Sequence, residues 1–304
     1  MSWDIDELPA ETLKLLAIDG LGAQTLSTLA SGVGDLMHIG QMLKDGALDN
    51  LLPNGSCEML RAKMRSQNEQ TIRMSAESAQ AKLITTVDED FPSLLRHLPA
   101  CPAILWYRGN LDVVNTSGVA IVGARRCTEY GRDQAELFAR CIASARSTVI
   151  SGGARGIDGI AHITAINAGG TTVAILGAGL LNPYPPEHAF LFEQIVEKGG
   201  LLMSEFSCDS TPLPENFPRR NRIVAGLASV VLVVEAAKRS GALITARIAV
   251  EEHGREVYVV PGRLGDAASV GCLHVLHEGW AQVAISPEEI VEVAEIAYER
   301  LSRV

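Results

Sequence analysis

The stretch Gly118-Val-Ala-Ile-Val-Gly123 is an apolar run that ends in glycine, and Ala124-Arg-Arg126 follows it directly. Runs of this kind lie at residues 119–122, 148–150, 172–176, 201–203, 230–234 and 257–260. They are continuous and rich in Val, Ile and Leu, as expected of strands that are buried on both faces of a sheet. Helical stretches separate most of them, which predicts an α/β fold with a doubly wound, mostly parallel sheet.

The region before this sheet is predicted to be a small all-helical domain, residues 1–82. Its helices are predicted at residues 11–17, 23–29, 39–44 and 56–81. The turn Ile18-Asp-Gly-Leu-Gly-Ala23 between the first two has two interpretations. A helix-hairpin-helix turn would expose backbone N–H groups to a phosphate, whereas a tight corner between helices would need the same glycines. We favour the corner, because a G-x-G turn alone is a weak signal.

The sheet domain is predicted to span residues 83–284. It opens with a proline-punctuated connection that contains a short strand at residues 103–107. A last helix, at residues 287–303, lies in the C-terminal segment 285–304.

Composition points to a cytoplasmic protein. The chain has 304 residues, 47% of them hydrophobic, and six cysteines. No two cysteines form a C-x-x-C pair, which argues against a zinc ribbon and a disulfide framework. No apolar run reaches the roughly 18 residues of a membrane span, and the first residues have no signal-peptide pattern. We therefore expect free thiols in a reducing compartment and no membrane association.

The net charge of −10 argues, by itself, against binding to nucleic acid, because non-specific affinity for DNA needs clustered cations. The charge is unevenly distributed, however. The segment 219–247 contains six Arg and Lys residues and a single acid, Glu235. A local basic face is compatible with the acidic total.

Candidate ligand-binding residues follow the predicted strands, since ligands of open α/β sheets lie at the carboxyl ends of the strands. Glycine turns with arginines and helix starts capped by Ser or Thr offer N–H groups and positive charge to a phosphate. The candidates are Gly123, Arg125, Arg126, Ser151, Gly152, Gly153, Arg155, Ser240, Gly241 and Thr245.

The block Phe217-Pro-Arg-Arg-Asn-Arg222 precedes a predicted buried helix at residues 223–227. Three arginines in four residues are often a solvated face. Here the buried helix follows at once, so we expect at least Arg222 to point into the cleft.

Neither a cofactor nor a catalytic set is expected. Gly177-Ala-Gly179-Leu-Leu-Asn182 lacks the third glycine of a dinucleotide fingerprint, and prolines follow it. Asp158 and His162 have no nearby nucleophile, which favours a satisfied, partly buried pair. Aromatic candidates for stacking on bases are Tyr130, Phe190, Phe192 and Phe217.

Several motifs occur together in a recognisable order. They are Ala120-Ile-Val-Gly-Ala-Arg125, Ser151-Gly-Gly-Ala-Arg-Gly-Ile-Asp158, Tyr184-Pro185, Ser204-Glu205, Phe217-Pro-Arg-Arg-Asn-Arg222, Ser240-Gly241 and Pro261-Gly262. In this order the chain resembles the DNA-processing protein A (DprA/Smf) family over roughly residues 83–283. The resemblance implies an extended Rossmann-like fold that dimerises, binds single-stranded DNA and loads the recombinase RecA. Incoming DNA in natural transformation would thereby be protected, without enzymatic turnover.

The resemblance also implies site residues. It assigns Arg125 to the DNA groove, Ser151, Gly152 and Gly153 to the glycine-rich turn, and Arg219, Asn221 and Arg222 to DNA contact. The chain departs from the family at three places, where it has Ala124 for Ser, His188-Ala189 for a basic residue, and Gly271-Cys-Leu273 for G-x-N. We expect no winged-helix domain of the kind that some members carry, because only 21 residues follow Val283.

Two alternatives belong to the same superfamily. Nucleoside-monophosphate phosphoribohydrolases resemble P-G-G-x-G-T-x-x-E at a point where this chain has Pro261-Gly-Arg-Leu-Gly-Asp-Ala-Ala268, without the threonine or the glutamate. A nucleotide-binding sensor is the other alternative. For a homodimer, the expected surface lies at residues 246–250 and 270–275, with Ile248 and Val275 as test positions.

Overall fold

Nine strands form one sheet in the computed structural model, which describes residues 3–303. The predicted domain limits at residues 1 and 304 lie outside this range. The strands are β1 (Lys82–Thr85), β2 (Ile104–Gly109), β3 (Gly118–Val122), β4 (Thr148–Ser151), β5 (Thr172–Leu176), β6 (Leu201–Ser204), β7 (Val230–Val233), β8 (Glu256–Val259) and β9 (Gln282–Val283). The six predicted runs correspond to β3 through β8.

The strand order is β1-β2-β6-β5-β4-β3-β7-β8-β9. The strands from β6 to β9 in this order pair in parallel, whereas β2 pairs antiparallel with both β1 and β6. The predicted doubly wound, mostly parallel sheet is therefore confirmed, with an antiparallel extension at one edge.

Thirteen α-helices are present between residues 3 and 303. They are α1 (Ala10–Leu16), α2 (Ala23–Val33), α3 (Ile39–Lys44), α4 (Ser56–Ser66), α5 (Glu69–Ser78), α6 (Ser93–Arg96), α7 (Glu129–Ser144), α8 (Ile157–Asn167), α9 (Ala189–Glu197), α10 (Asn216–Leu227), α11 (Gly241–Glu251), α12 (Val270–Glu278) and α13 (Pro287–Leu301). None of the helices within the described residues is long and apolar enough to cross a membrane.

The prediction of a single helix at residues 56–81 is wrong, because the helix is interrupted between α4 and α5. Gln67 is extended, with φ −85° and ψ 141°. The Asn68 side chain then accepts a hydrogen bond from Thr71 N at 3.3 Å and caps the start of α5. Asparagine favours such a cap over a place inside a helix.

The two faces of the sheet bury separate sets of side chains. Val119 and Ile121 pack with α7, α8 and α13 on one face, and Ala120 and Val122 face α10, α11 and α12 on the other. On this second face Ala246, Ala249 and Val275 are fully buried. Of the two test positions on the expected dimer surface, Val275 is therefore core, and a charge there would test folding instead of assembly, whereas Ile248 is half-buried.

The N-terminal helices pack on the edge strands and reach the carboxyl end of the sheet. The Asp19 carboxylate accepts hydrogen bonds from Ser207 N and Ser210 Oγ, both at 3.0 Å. Ser207 Oγ in turn donates to Ala17 O at 3.2 Å. The turn between α1 and α2 is thereby fixed beside the loop that follows β6.

Candidate nucleic-acid interface

A cleft of about 630 Å³ lies at the carboxyl ends of β3, β4 and β7. The chain leaves β3 through α7 towards β4, and it leaves the neighbouring β7 through α11 towards β8. Neighbouring strands whose connections run in opposite directions define the point where ligands of open α/β sheets bind. Of the predicted site residues, the cleft brings together Gly123, Arg125, Gly152, Asn221, Ser240, Gly241 and Thr245.

Helix α10 forms one wall of the cleft. Phe217, Arg220, Asn221 and Val224 follow the i, i+3, i+4, i+7 spacing that places side chains on one helix face, and all four line the cleft. Arg219 and Arg222 lie on another face of α10 and line a separate groove. The prediction that Arg222 points into the cleft is wrong, because α10 begins at Asn216 and its phase turns Arg220 inward.

Arg220 lies under the glycine-rich turn. Only 4% of the residue is exposed. Its guanidinium donates hydrogen bonds to Gly152 O at 2.5 Å and to Ile175 O. Burial lowers the pKa of Arg220 to about 10, so the side chain stays charged at neutral pH. Nothing in the local sequence distinguishes Arg220 from its two neighbouring arginines.

Asp158 and His162 form hydrogen bonds with other residues and not with each other. Burial raises the pKa of Asp158, while the Arg220 charge and the N–H of Ala154, 3.3 Å from the carboxylate, act in the opposite direction. His162 Nδ1 lies 2.7 Å from Thr172 Oγ1, and burial lowers the pKa of His162 to about 3. The expected pair is therefore wrong, although both side chains are buried.

The turn after β3 is braced against the start of α8. Ile157 N donates to Ala124 O at 3.2 Å. Arg125 is exposed and holds its guanidinium 5.8 Å from the centre of the Phe217 ring. Neither Arg125 nor the exposed Arg126 has an acidic partner within residues 3–303. Arg126 lies outside the cleft lining.

Two aromatic rings stand at the mouth of the cleft. Tyr184 and Phe217 meet edge to face, with centroids 5.6 Å apart. The Arg155 guanidinium lies 5.6 Å from the Tyr184 ring and pairs with Glu187. Phe217 was predicted to stack on bases, whereas Tyr184 was not, although the Tyr184-Pro185 motif marks its position.

Three expected site residues have other roles. Phe192 is 1% exposed and packs its ring beside Gly153, so we withdraw it as a stacking residue. Gly153 adopts a positive φ of 67° in the turn. Ser151 is fully buried, and its Oγ donates to Ile121 O at 2.7 Å, which ties two strands together. Neither Phe192 nor the Ser151 hydroxyl faces the cleft.

The other two aromatic candidates lie outside the cleft lining. Phe190 is exposed. Tyr130 donates its hydroxyl to Pro261 O at 2.8 Å. Phe217 is thus the one member of the predicted stacking set that lines the cleft.

A model of the family DNA recombination-mediator protein A matches residues 82–295. Protein Smf of Escherichia coli K12 is 37% identical over 288 residues, which cover 92% of this chain and 73% of that protein. DNA processing protein DprA of Streptococcus pneumoniae is 37% identical over 218 residues, or 72% of this chain and 76% of the relative. The chain belongs to the DprA/Smf family.

Solved DprA structures share the fold. The X-ray structure of Streptococcus pneumoniae DprA aligns with a TM-score of 0.79 at 32% identity, covering 96% of this chain and 98% of that one. Helicobacter pylori DprA, whose structure concerns its single-stranded DNA binding mode, aligns with a TM-score of 0.62 at 29% identity. That match covers 70% of this chain and 94% of the relative. The Rossmann-like fold implied by the DprA/Smf resemblance is thus confirmed.

In this DprA/Smf chain Glu235, which follows the fifth predicted apolar run, stabilises the start of helix α7. Glu235 is 1% exposed, and its carboxylate accepts hydrogen bonds from Thr128 N at 2.9 Å and from Thr128 Oγ1. Thr128 caps α7, so Glu235 fixes the end of the loop that carries Arg125.

At the other side of the cleft Ser240 caps α11, and Thr245 Oγ1 donates to Gly241 O. Within residues 3–303 no group of three His, Cys, Asp or Glu side chains is placed to hold a metal ion.

Proposed function

We propose that this chain binds single-stranded DNA in the cleft between β3, β4 and β7, without chemical turnover. The observation that carries the proposal is the exposed Arg125, which lies beside the Phe217 ring and has no acidic partner in the described part of the chain. A guanidinium offers a phosphate two parallel hydrogen bonds, and an aromatic face stacks on any base. The single-stranded DNA binding described for the Helicobacter pylori relative supports the same conclusion.

The cleft favours an unpaired strand over a duplex. Phe217 and Tyr184 can stack only on a base that has left its own stack, whereas the bases of a duplex are already stacked and paired. Outside the cleft, the net charge of −10 also repels a duplex, whose charge density is high. Phosphate contact and stacking carry no sequence code, so binding is sequence-tolerant.

We further propose that the chain acts in recombination of incoming DNA, with RecA and a second copy of itself as partners. A dimer would place two clefts on one strand, and the second engagement would then be intramolecular. The resulting gain in affinity compensates for the small number of cationic side chains in one cleft. Base release from nucleoside monophosphates is not expected, because the Glu235 carboxylate already accepts two hydrogen bonds from Thr128 and is not free to act on a substrate.

Replacing Arg125 by Ala is expected to weaken binding to single-stranded oligonucleotides of every sequence. Loss of one phosphate contact should reduce the magnitude of the negative slope of log K against log salt by about 0.7. Fluorescence anisotropy at several salt concentrations measures both effects.

The matched control is Arg140→Ala, since Arg140 is exposed on α7 and lies outside the cleft lining. It should leave the slope unchanged. Equal slopes for the wild type, Arg125→Ala and Arg140→Ala would remove Arg125 from the DNA contact.

A further inference from the structure

A second groove, of about 880 Å³, separates the N-terminal helices from α10. One side is the turn Gly20-Leu21-Gly22 with the first residues of α2, and the other side carries Arg219 and Arg222. Asp19 holds the turn in place through Ser207 and Ser210. The groove is therefore preformed between two parts of the fold that lie far apart in sequence.

Positive charge lines both sides of this groove. Arg219 is exposed, and among residues 3–303 it has no hydrogen bond or ion pair, only a ring contact with Phe206 at 5.4 Å. Its guanidinium lies 3.4 Å from the position of a Cβ on Gly20, so it reaches across to the turn. Helix α2 begins after Gly22 without a side-chain cap, and although Gly22 forms a backbone bridge with Pro102, the positive end of the helix dipole lies at the groove.

Two buried polar atoms at the groove lack partners among residues 3–303. Glu205 is 5% exposed and pairs through Oε1 with Arg222, but its Oε2 receives no hydrogen bond. Nη1 of Arg222 likewise has no acceptor. Buried polar groups are normally satisfied, so this pair points to a ligand that supplies both an acceptor and a donor. A nucleotide supplies both, because its phosphate oxygens accept and its base N–H groups donate.

We propose that this groove binds a further nucleotide of the DNA strand held in the cleft, with the phosphate between Arg219 and the first turn of α2. The inference rests on the proposed function. Helix α10 connects the two sites, since Phe217 and Arg220 face the cleft while Arg219 and Arg222 face the groove. A strand that crosses the first turn of α10 passes from one to the other. The N-terminal helices thereby become part of the DNA-binding surface.

Gln24→Glu tests the proposal without disturbing the fold. Gln24 is exposed, is the second residue of α2 and lines the groove. A carboxylate in the first turn favours the helix through its dipole but repels a phosphate at the same place. We expect the affinity for a single-stranded oligothymidylate to fall by about fivefold at low salt.

The matched control is Gln70→Glu. Gln70 is likewise exposed and the second residue of α5, but it lies outside the groove. It changes the total charge equally and should leave the affinity unchanged. A fall confined to Gln24→Glu supports the subsite. Equal affinities of the two variants overturn it, while an intact Arg125→Ala effect in the same assay would leave the proposed function standing. Wild-type protein that binds no single-stranded oligonucleotide would overturn both.

Discussion

Arg220→Met is expected to destabilise the fold by about 3–5 kcal/mol and to abolish binding of single-stranded DNA. Removing a buried charge leaves a nearby opposite charge without compensation, and here the buried Asp158 carboxylate would lose the favourable field of the Arg220 guanidinium. The carbonyls of Gly152 and Ile175 would lose their donor as well. Urea unfolding followed by circular dichroism measures the loss.

Arg219→Met provides the matched control, because the neighbouring arginine is exposed and has no ion pair among the described residues. It should unfold at the wild-type urea concentration. In the double variant Arg220→Met/Asp158→Asn part of the lost stability should return, since the unpaired carboxylate is removed. Equal midpoints for Arg219→Met and Arg220→Met would contradict the role given to Arg220.

Gly156→Ala is expected to cost about 3 kcal/mol or more and to displace the Arg125 turn. Gly156 has a φ of 73° and a ψ of −127°, a backbone conformation that glycine alone adopts readily, so a side chain there costs about 1–3 kcal/mol. In addition, a Cβ there would collide with Ala124 O and would lie 2.8 Å from the Arg125 carbonyl carbon. Both neighbours are main chain, so the turn itself must move. Affinity for single-stranded DNA should fall together with stability.

Gly169→Ala is the control for a positive φ without a close contact. Gly169 has nearly the same φ, 74°, but a Cβ on it would meet nothing within 4 Å. Only the backbone cost applies there, and DNA affinity should stay at the wild-type value. If Gly156→Ala costs no more than Gly169→Ala in thermal unfolding, the close approach of α8 to the Arg125 turn has no energetic weight.

Much of the fold could be predicted from the sequence, because β3 through β8 are buried on both faces and therefore read as apolar runs. The edge strands were harder. β1 has four residues, and its pairing with β2 depends on a contact about twenty residues away along the chain. β9 has only two residues, both exposed. Neither carries a periodic pattern that a sequence could show.

The cleft was predicted less completely than the sheet. The arginine block was assigned to a connection before a helix at residues 223–227, whereas α10 begins at Asn216. The helical phase decides which arginine enters the cleft, and a shift of the helix start changes that choice. Phe192 and Ser151 were predicted as site residues from their positions near strands and turns, but packing in three dimensions buries both side chains.

The most direct test of the account is a competition between single- and double-stranded DNA for the wild-type protein. A fluorescent oligothymidylate of about twenty nucleotides is bound at low salt, and unlabelled single strand or duplex of equal length is added. We predict that the single strand displaces the probe at far lower concentration than the duplex, whatever its sequence. A duplex that competes as well as the single strand, or better, would contradict the proposed function.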